Sequence, residues 1–97
     1  MIRHVVLFAW IPEATAQQQA RVAVELRALR PLLTGVRAYH IGPDAGLNDG
    51  NFDFAVVGDF DDTASYLAYR DHPAHRAIIE QTITPITAER VAIQYEL

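Results

Sequence analysis

The opening run from Ile2 to Ile11 constrains the fold of this chain more than any other stretch. Its β-branched and aromatic residues suit an extended strand. Its apolar part, Val5 to Ile11, is too short to span a bilayer and lacks the flanks of a signal peptide. Successive side chains of a strand point to opposite faces. Here Ile2, Val6, Phe8 and Trp10 share one face with His4, while Val5, Leu7, Ala9 and Ile11 share the other. A lone antiparallel sheet with one wet face should alternate apolar with polar residues. This strand is apolar on both faces, so both need cover.

The remaining elements follow from periodicity and punctuation. Pro12 ends the first strand, and Thr15 followed by Gln18 has the spacing of a capping box. Val22, Leu26, Leu29 and Leu33 then form an apolar stripe at helical spacing. Pro31 should interrupt the last turn of that helix, and Gly35 suits its exit. Val36 to Ile41 reads as a second strand, and Gly42-Pro43 opens a polar connection without periodicity. A third strand runs from Asn51 or Phe52 to Phe60. Asp61 and Asp62 can cap a helix reaching Arg70, and a second helical segment runs from Ala74 towards Thr84. Pro85 ends it, and Arg90 to Leu97 is the last strand.

This order, βαββαβ over a single domain spanning residues 1–97, predicts an α+β, ferredoxin-like fold: a four-stranded antiparallel sheet with helices on one side. Helices can supply only one covering layer. A second subunit packing on the open sheet face is the simplest completion, which predicts a symmetric homodimer. A chain of 97 residues also buries only about two-thirds of its unfolded surface, so association would help it.

Composition removes several function classes. Cysteine is absent, which excludes disulfides, thiol catalysis, iron–sulfur clusters and cysteine-ligated zinc. All eight basic residues are arginine, so neither a Schiff-base lysine nor a P-loop lysine exists. The net charge of −4 argues against nucleic-acid or anionic-membrane partners. A soluble cytoplasmic protein is the expectation, with no cofactor.

The chemistry concentrates in Tyr69-Arg70-Asp71-His72-Pro73-Ala74-His75. Pro73 fixes its own φ, pushes His72 towards an extended conformation and is favoured as the first residue of a helix. His75 would then sit in a first turn, where unpaired N–H groups and the macrodipole disfavour protonation. A neutral imidazole beside a tyrosine is a base-and-donor pair suited to chemistry at a carbonyl. The alternative is a histidine that caps its helix or bonds a backbone carbonyl, with Tyr69 a core or interfacial tyrosine, as Tyr66 one turn earlier is read to be. His72 reads as a turn-shaping cap. An H-x-x-H pair ligates metal only when both residues share a helical face, and Pro73 makes His72 a boundary residue, so no metal site is expected.

With that order of elements, the segments Ile2-Arg3-His4-Val5-Val6-Leu7-Phe8, Phe52 to Phe60 and Tyr69 to His75 resemble the stress-responsive A/B barrel (Dabb) family of the dimeric α+β barrel proteins. The closing Val91 to Glu96 suits it too. The resemblance implies a ferredoxin-like subunit that dimerises through its sheet into a barrel. Olivetolic acid cyclase-like members close a linear poly-β-ketoacyl thioester by an intramolecular aldol reaction. The resemblance places their catalytic tyrosine and histidine on Tyr69 and His75, and a first-strand pocket histidine on His4. A further pocket histidine of that type falls on Phe54 here.

The expected site is therefore catalytic Tyr69, His75 and His4, with Phe54, Phe8, Leu67 and His72 contacting a small apolar or poly-keto substrate. Trp10, Phe52 and Phe60 are further candidate walls of the pocket, or simply core. Three functions compete: a polyketide cyclase-like lyase, a protein that only sequesters an apolar ligand, and a monooxygenase of the dimeric barrel group. The apolar Phe54 argues for the second.

Overall fold

All four strands read from the sequence form, with shifted ends. The computed structural model, which describes residues 1–97, runs β1 (Ile2–Trp10), α1 (Ala16–Leu29), β2 (Val36–Pro43), β3 (Phe54–Phe60), α2 (Thr63–Asp71), α3 (Pro73–Ile78) and β4 (Thr87–Glu96). The sheet order is β2-β3-β1-β4, and every pair is antiparallel. This is the ferredoxin-like α+β arrangement. The second strand ends two residues later than expected, the third starts later, and the fourth starts three residues earlier. The fourth gains those residues because β1 offers ladder partners up to Trp10, which pairs with Thr87.

Local chemistry sets the ends of the helices. Thr15 accepts from the Gln18 N–H and the Gln18 side chain accepts from the Thr15 N–H, closing the capping box. Pro31 stops α1 at Leu29, and a single 3₁₀ turn, Arg30–Leu32, follows. Gly35 then takes φ +74°, which only glycine adopts without strain. Asp62 alone caps α2, accepting from the Ser65 N–H at 2.8 Å. Asp61 instead pairs with Arg37.

The expected helix from Ala74 to Thr84 is shorter than its periodicity suggests. After Ile78 the backbone widens into a π-helical turn, Ile79–Ile83, and then tightens into a 3₁₀ turn, Thr84–Ile86, containing Pro85. The widened turn lets Thr82 reach across to α1, where its hydroxyl donates to Glu25 at 2.7 Å.

The main core lies between the sheet and α1 with the 79–86 segment. Val6, Phe8, Trp10, Phe54 and Val56 from the sheet meet Val22, Leu26, Ile83 and Ile86. Burying each such side chain stabilises the fold by about 1.5–3 kcal/mol. A smaller cluster of Leu29, Phe60 and Tyr69 joins α2 to the same layer. The opposite sheet face has no cover. Val5, Leu7 and Ala9 are only half-buried there, and Val91, Ile93 and Tyr95 of β4 are 44%, 59% and 42% exposed. No helix is long and apolar enough to cross a membrane.

Candidate active site

A cavity of about 390 Å³ opens between the helix-facing side of the sheet and the α2–α3 bend. Three layers of sequence meet in it. β1 contributes His4, Val6 and Phe8, the α2–α3 region contributes Tyr66, Tyr69 and His75, and the chain from Ile79 to Arg90 closes the far wall. Leu26 and Val56 form its floor.

Pro73 makes this convergence possible. It ends α2 at Asp71 and restarts a helix at once, with the His72 ring accepting from the Ala74 N–H at 3.1 Å. The bend turns His75 back over Tyr69, with ring centroids 4.2 Å apart and planes 31° from parallel. His75 Nδ1 lies 3.0 Å from the backbone carbonyl of Arg70. A carbonyl oxygen only accepts, so Nδ1 carries the hydrogen and the neutral ring keeps its lone pair on Nε2. Burial pushes the His75 pKa below the usual histidine value, with the Arg76 charge adding to the effect and the bond to Arg70 opposing it. The desolvated pocket, rather than the helix start alone, keeps this imidazole neutral.

Tyr69 is buried, and its hydroxyl lies 3.1 Å from that of Tyr39 on β2. Desolvation raises the pKa of both phenols, so each stays protonated and able to donate. His4 stands 6.0 Å from Tyr69 and 5.1 Å from Tyr66 between ring centroids. The Gln94 amide N–H donates to its Nδ1 at 2.9 Å, which leaves the ring hydrogen on Nε2. Burial, with the Arg90 and His75 charges, lowers the His4 pKa to about 4. No buried side-chain nitrogen or oxygen lacks a partner, so the free Nε2 atoms of both histidines open onto accessible space. One imidazole thus presents a lone pair to the cavity and the other an N–H.

The expected residues divide clearly. Tyr69, His75, His4 and Phe8 line one cavity. Phe54, Leu67 and His72 do not. Phe54 turns towards Trp10, 5.8 Å away between centroids, and is packed into the core. Leu67 follows Tyr66 by one residue, about 100° round the helix, and points outward at 37% exposure. His72 spends its Nδ1 on the cap of α3. Trp10 and Phe60 fill the core, and Phe52 lines a separate cleft beside the Asp44–Asn51 connection. No three histidine, aspartate or glutamate side chains converge on one point.

Several residues escaped the sequence reading. Tyr66, read from the sequence as a core or interfacial tyrosine, is a wall of the cavity, its ring tilted 43° against that of His4. Tyr39, Gln94 and Arg90 come from strands whose register no local pattern reveals. Only the apolar-polar alternation of β4 hinted that Arg90 and Gln94 share a face.

Comparison with known proteins agrees with this architecture. Residues 2–97 match the family model described as the stress responsive A/B barrel domain. A dimeric ferredoxin-like protein of unknown function from Thermobifida fusca is 43% identical, with a TM-score of 0.92 over 99% of this chain and 90% of that one. A Dabb family protein from Mesorhizobium loti is 24% identical, with a TM-score of 0.81 over 99% of this chain and 95% of that one. The hydroxynitrile lyase of Passiflora edulis shares the fold at 17% identity, with a TM-score of 0.84 over 99% of this chain and 92% of that one. No curated protein matches the sequence.

Proposed function

Because the chain belongs to the stress-responsive A/B barrel domain family, we propose that it is a lyase or cyclase acting by aldol-type proton abstraction at an activated carbonyl, with the Tyr69–His75 cavity as its active site. One observation carries this reading: the Arg70 carbonyl fixes the His75 tautomer so that a basic Nε2 is left beside the Tyr69 phenol. His75 Nε2 takes a proton from the carbon next to a carbonyl. The Tyr69 hydroxyl donates to that carbonyl oxygen as it becomes an enolate, and the Tyr39 hydroxyl supports Tyr69 from behind. His4 Nε2–H supplies a second donor. The enolate carbon attacks another carbonyl of the same molecule, a carbon–carbon bond forms, and the imidazolium returns its proton to the new alkoxide. The reverse sequence cleaves such a bond. Lyase chemistry on this scaffold in the Passiflora edulis enzyme agrees with that class of reaction.

The proposal includes a homodimer closed through the open sheet face into a barrel. The exposed Val91, Ile93 and Tyr95 support it, as does the dimeric state of the Thermobifida fusca relative.

Turnover of poly-β-ketide analogues tests the reaction. His75→Ala should lower kcat by about 10²–10⁴-fold, and Tyr69→Phe by about 10²–10³-fold, with circular dichroism unchanged. Unchanged rates in a folded double variant would falsify the proposal. A second reading, sequestration of an apolar ligand without conversion, is favoured by the apolar half of the lining, eight of fifteen residues. A co-purified ligand found intact by mass spectrometry after prolonged incubation would support it. Phe54 no longer argues for that role, since it lies outside the cavity.

A further inference from the structure

Three of the residues lining the cavity are arginines and none is a carboxylate, in a chain whose net charge is −4. A concave, partly apolar site lined by one sign of charge draws the opposite sign. Two of the three arginines are occupied. Arg70 holds Asp71 through two bonds of 2.9 and 3.0 Å, and Arg76 faces Glu80 at 3.7 Å. Arg90 belongs to none of the molecule's five ion pairs. It lies opposite Phe8 in the β1–β4 ladder. It also shares the helix-facing side of β4 with Gln94, which bonds His4. Its positive charge is felt at both His4 and Tyr69.

We propose that Arg90 anchors a carboxylate on the substrate, so that the class of molecule taken by this cavity is a free β-keto acid rather than a neutral ester. The guanidinium fork matches a carboxylate in two parallel bonds. A guanidinium on the same cavity lining as His4 and Tyr69 suits a molecule that carries its anion within a few bonds of the reacting carbonyl, as in a 3-oxo acid. The phosphates of a carrier thioester would lie much farther from the carbonyl. Beside the anchor, the apolar side chains of Val6, Phe8 and Ile83 suit the alkyl end. The inference rests on the carbonyl-chemistry reading of the cavity for the identity of the keto group. The anion preference rests on Arg90 alone.

Binding measured by calorimetry, without any need for turnover, separates the two. The probes are 3-oxooctanoate and methyl 3-oxooctanoate, tested on the natural chain, Arg90→Gln and a remote control, Arg21→Gln. Arg21 sits on the outer face of α1, paired with Glu25 and 69% exposed. The natural chain should prefer the acid. Arg90→Gln should weaken acid binding by about 10- to 100-fold, the effect of losing a charged hydrogen-bonding partner, and should leave the ester and the Arg21→Gln control within about twofold. Equal weakening of both probes, no weakening of either, or no binding of the acid by the natural chain overturns the proposal. A fall in turnover with both binding constants intact also overturns it, because Arg90 would then stabilise the enolate instead of holding the substrate. Should acid-selective binding depend on Arg90 while no keto compound is converted, the reaction fails and the anchor stands.

Discussion

The division of labour between His75 and His4 comes from single hydrogen bonds. Arg70 offers an acceptor, so His75 keeps a basic Nε2. Gln94 offers a donor, so His4 keeps an Nε2–H. Two chemically identical side chains on one cavity thereby present opposite groups, a lone pair and an N–H, which the proposed mechanism uses as base and donor. The pH dependence follows from the direction of the His75 shift. Burial lowers its pKa below 6.5, and the base works only when neutral. The kcat/KM for a keto substrate should therefore show an acid limb of a single proton with its midpoint below 6.5, and level off at higher pH. His4 stays neutral until about pH 4, so it adds nothing to the upper part of that limb. A pH–rate profile whose acid limb has its midpoint above 6.5 would contradict the assignment. The pair Tyr69 and His75 was legible in the sequence because Pro73 couples them within one bend. Tyr39 was not, because its meeting with Tyr69 spans 30 positions and depends on the packing of β2 against α2.

Among the elements, β3 carries more of the site than its own side chains suggest. Gly58 pairs with His4 on one side and Tyr39 on the other. A Cβ there would stand 2.8 Å from Cε2 of Phe60 and 3.5 Å from the Tyr39 ring. Phe60 in turn packs against Tyr69 with 5.0 Å between centroids. Gly58→Ala should push the Phe60 ring into this aromatic cluster and destabilise the fold by about 1–3 kcal/mol, as overpacking does. Urea denaturation measures that loss. The near-ultraviolet circular dichroism of the tyrosines should change with it, and an unaltered spectrum and midpoint would show that the cluster has room to spare. Such a role could not be read from the sequence, where Gly58 is one glycine in an apolar strand. The capping box at Thr15, the stop at Pro31 and the restart at Pro73 were readable, because each acts through residues at most three positions apart. The π-helical turn at Ile79–Ile83 was not. Its apolar spacing is compatible with an ordinary helix, and tertiary packing, including the Thr82–Glu25 bond, accompanies the widening.

At the scale of the whole molecule, the open sheet face decides how the chain exists in solution. The two-faced pattern of β1 was evident from the start. The contribution of β4 was not, because Val91, Ile93 and Tyr95 alternate with Arg90, Ala92, Gln94 and Glu96 like any half-solvated edge strand. In the fold that alternation has a consequence: one side of β4 faces the cavity and the other extends the apolar stripe of Val5 and Leu7. Arg3 and Asp59, bonded at 2.7 and 2.9 Å, sit on the same open face already neutralised as a pair, which limits the penalty of covering them. Covering Val91, Ile93 and Tyr95 from two subunits should stabilise a dimer by several kcal/mol, at about 25 cal/mol per Å² of apolar surface buried. The melting temperature should accordingly rise with protein concentration. Ile93→Asp puts a charge at the most exposed apolar side chain of the stripe. It should yield a monomer by analytical ultracentrifugation, melting at a lower temperature that no longer depends on concentration. A natural chain that sediments as a monomer would rule the interface out. The same variant also tests where the cavity is completed, since Ile93 points away from it while Arg90 lines it and Gln94 bonds His4 on that side of the sheet. Retention of 3-oxooctanoate binding by the Ile93→Asp monomer is the expected result, because His4, Tyr69, His75 and Arg90 lie on the helix-facing side of the sheet and Ile93 on the other.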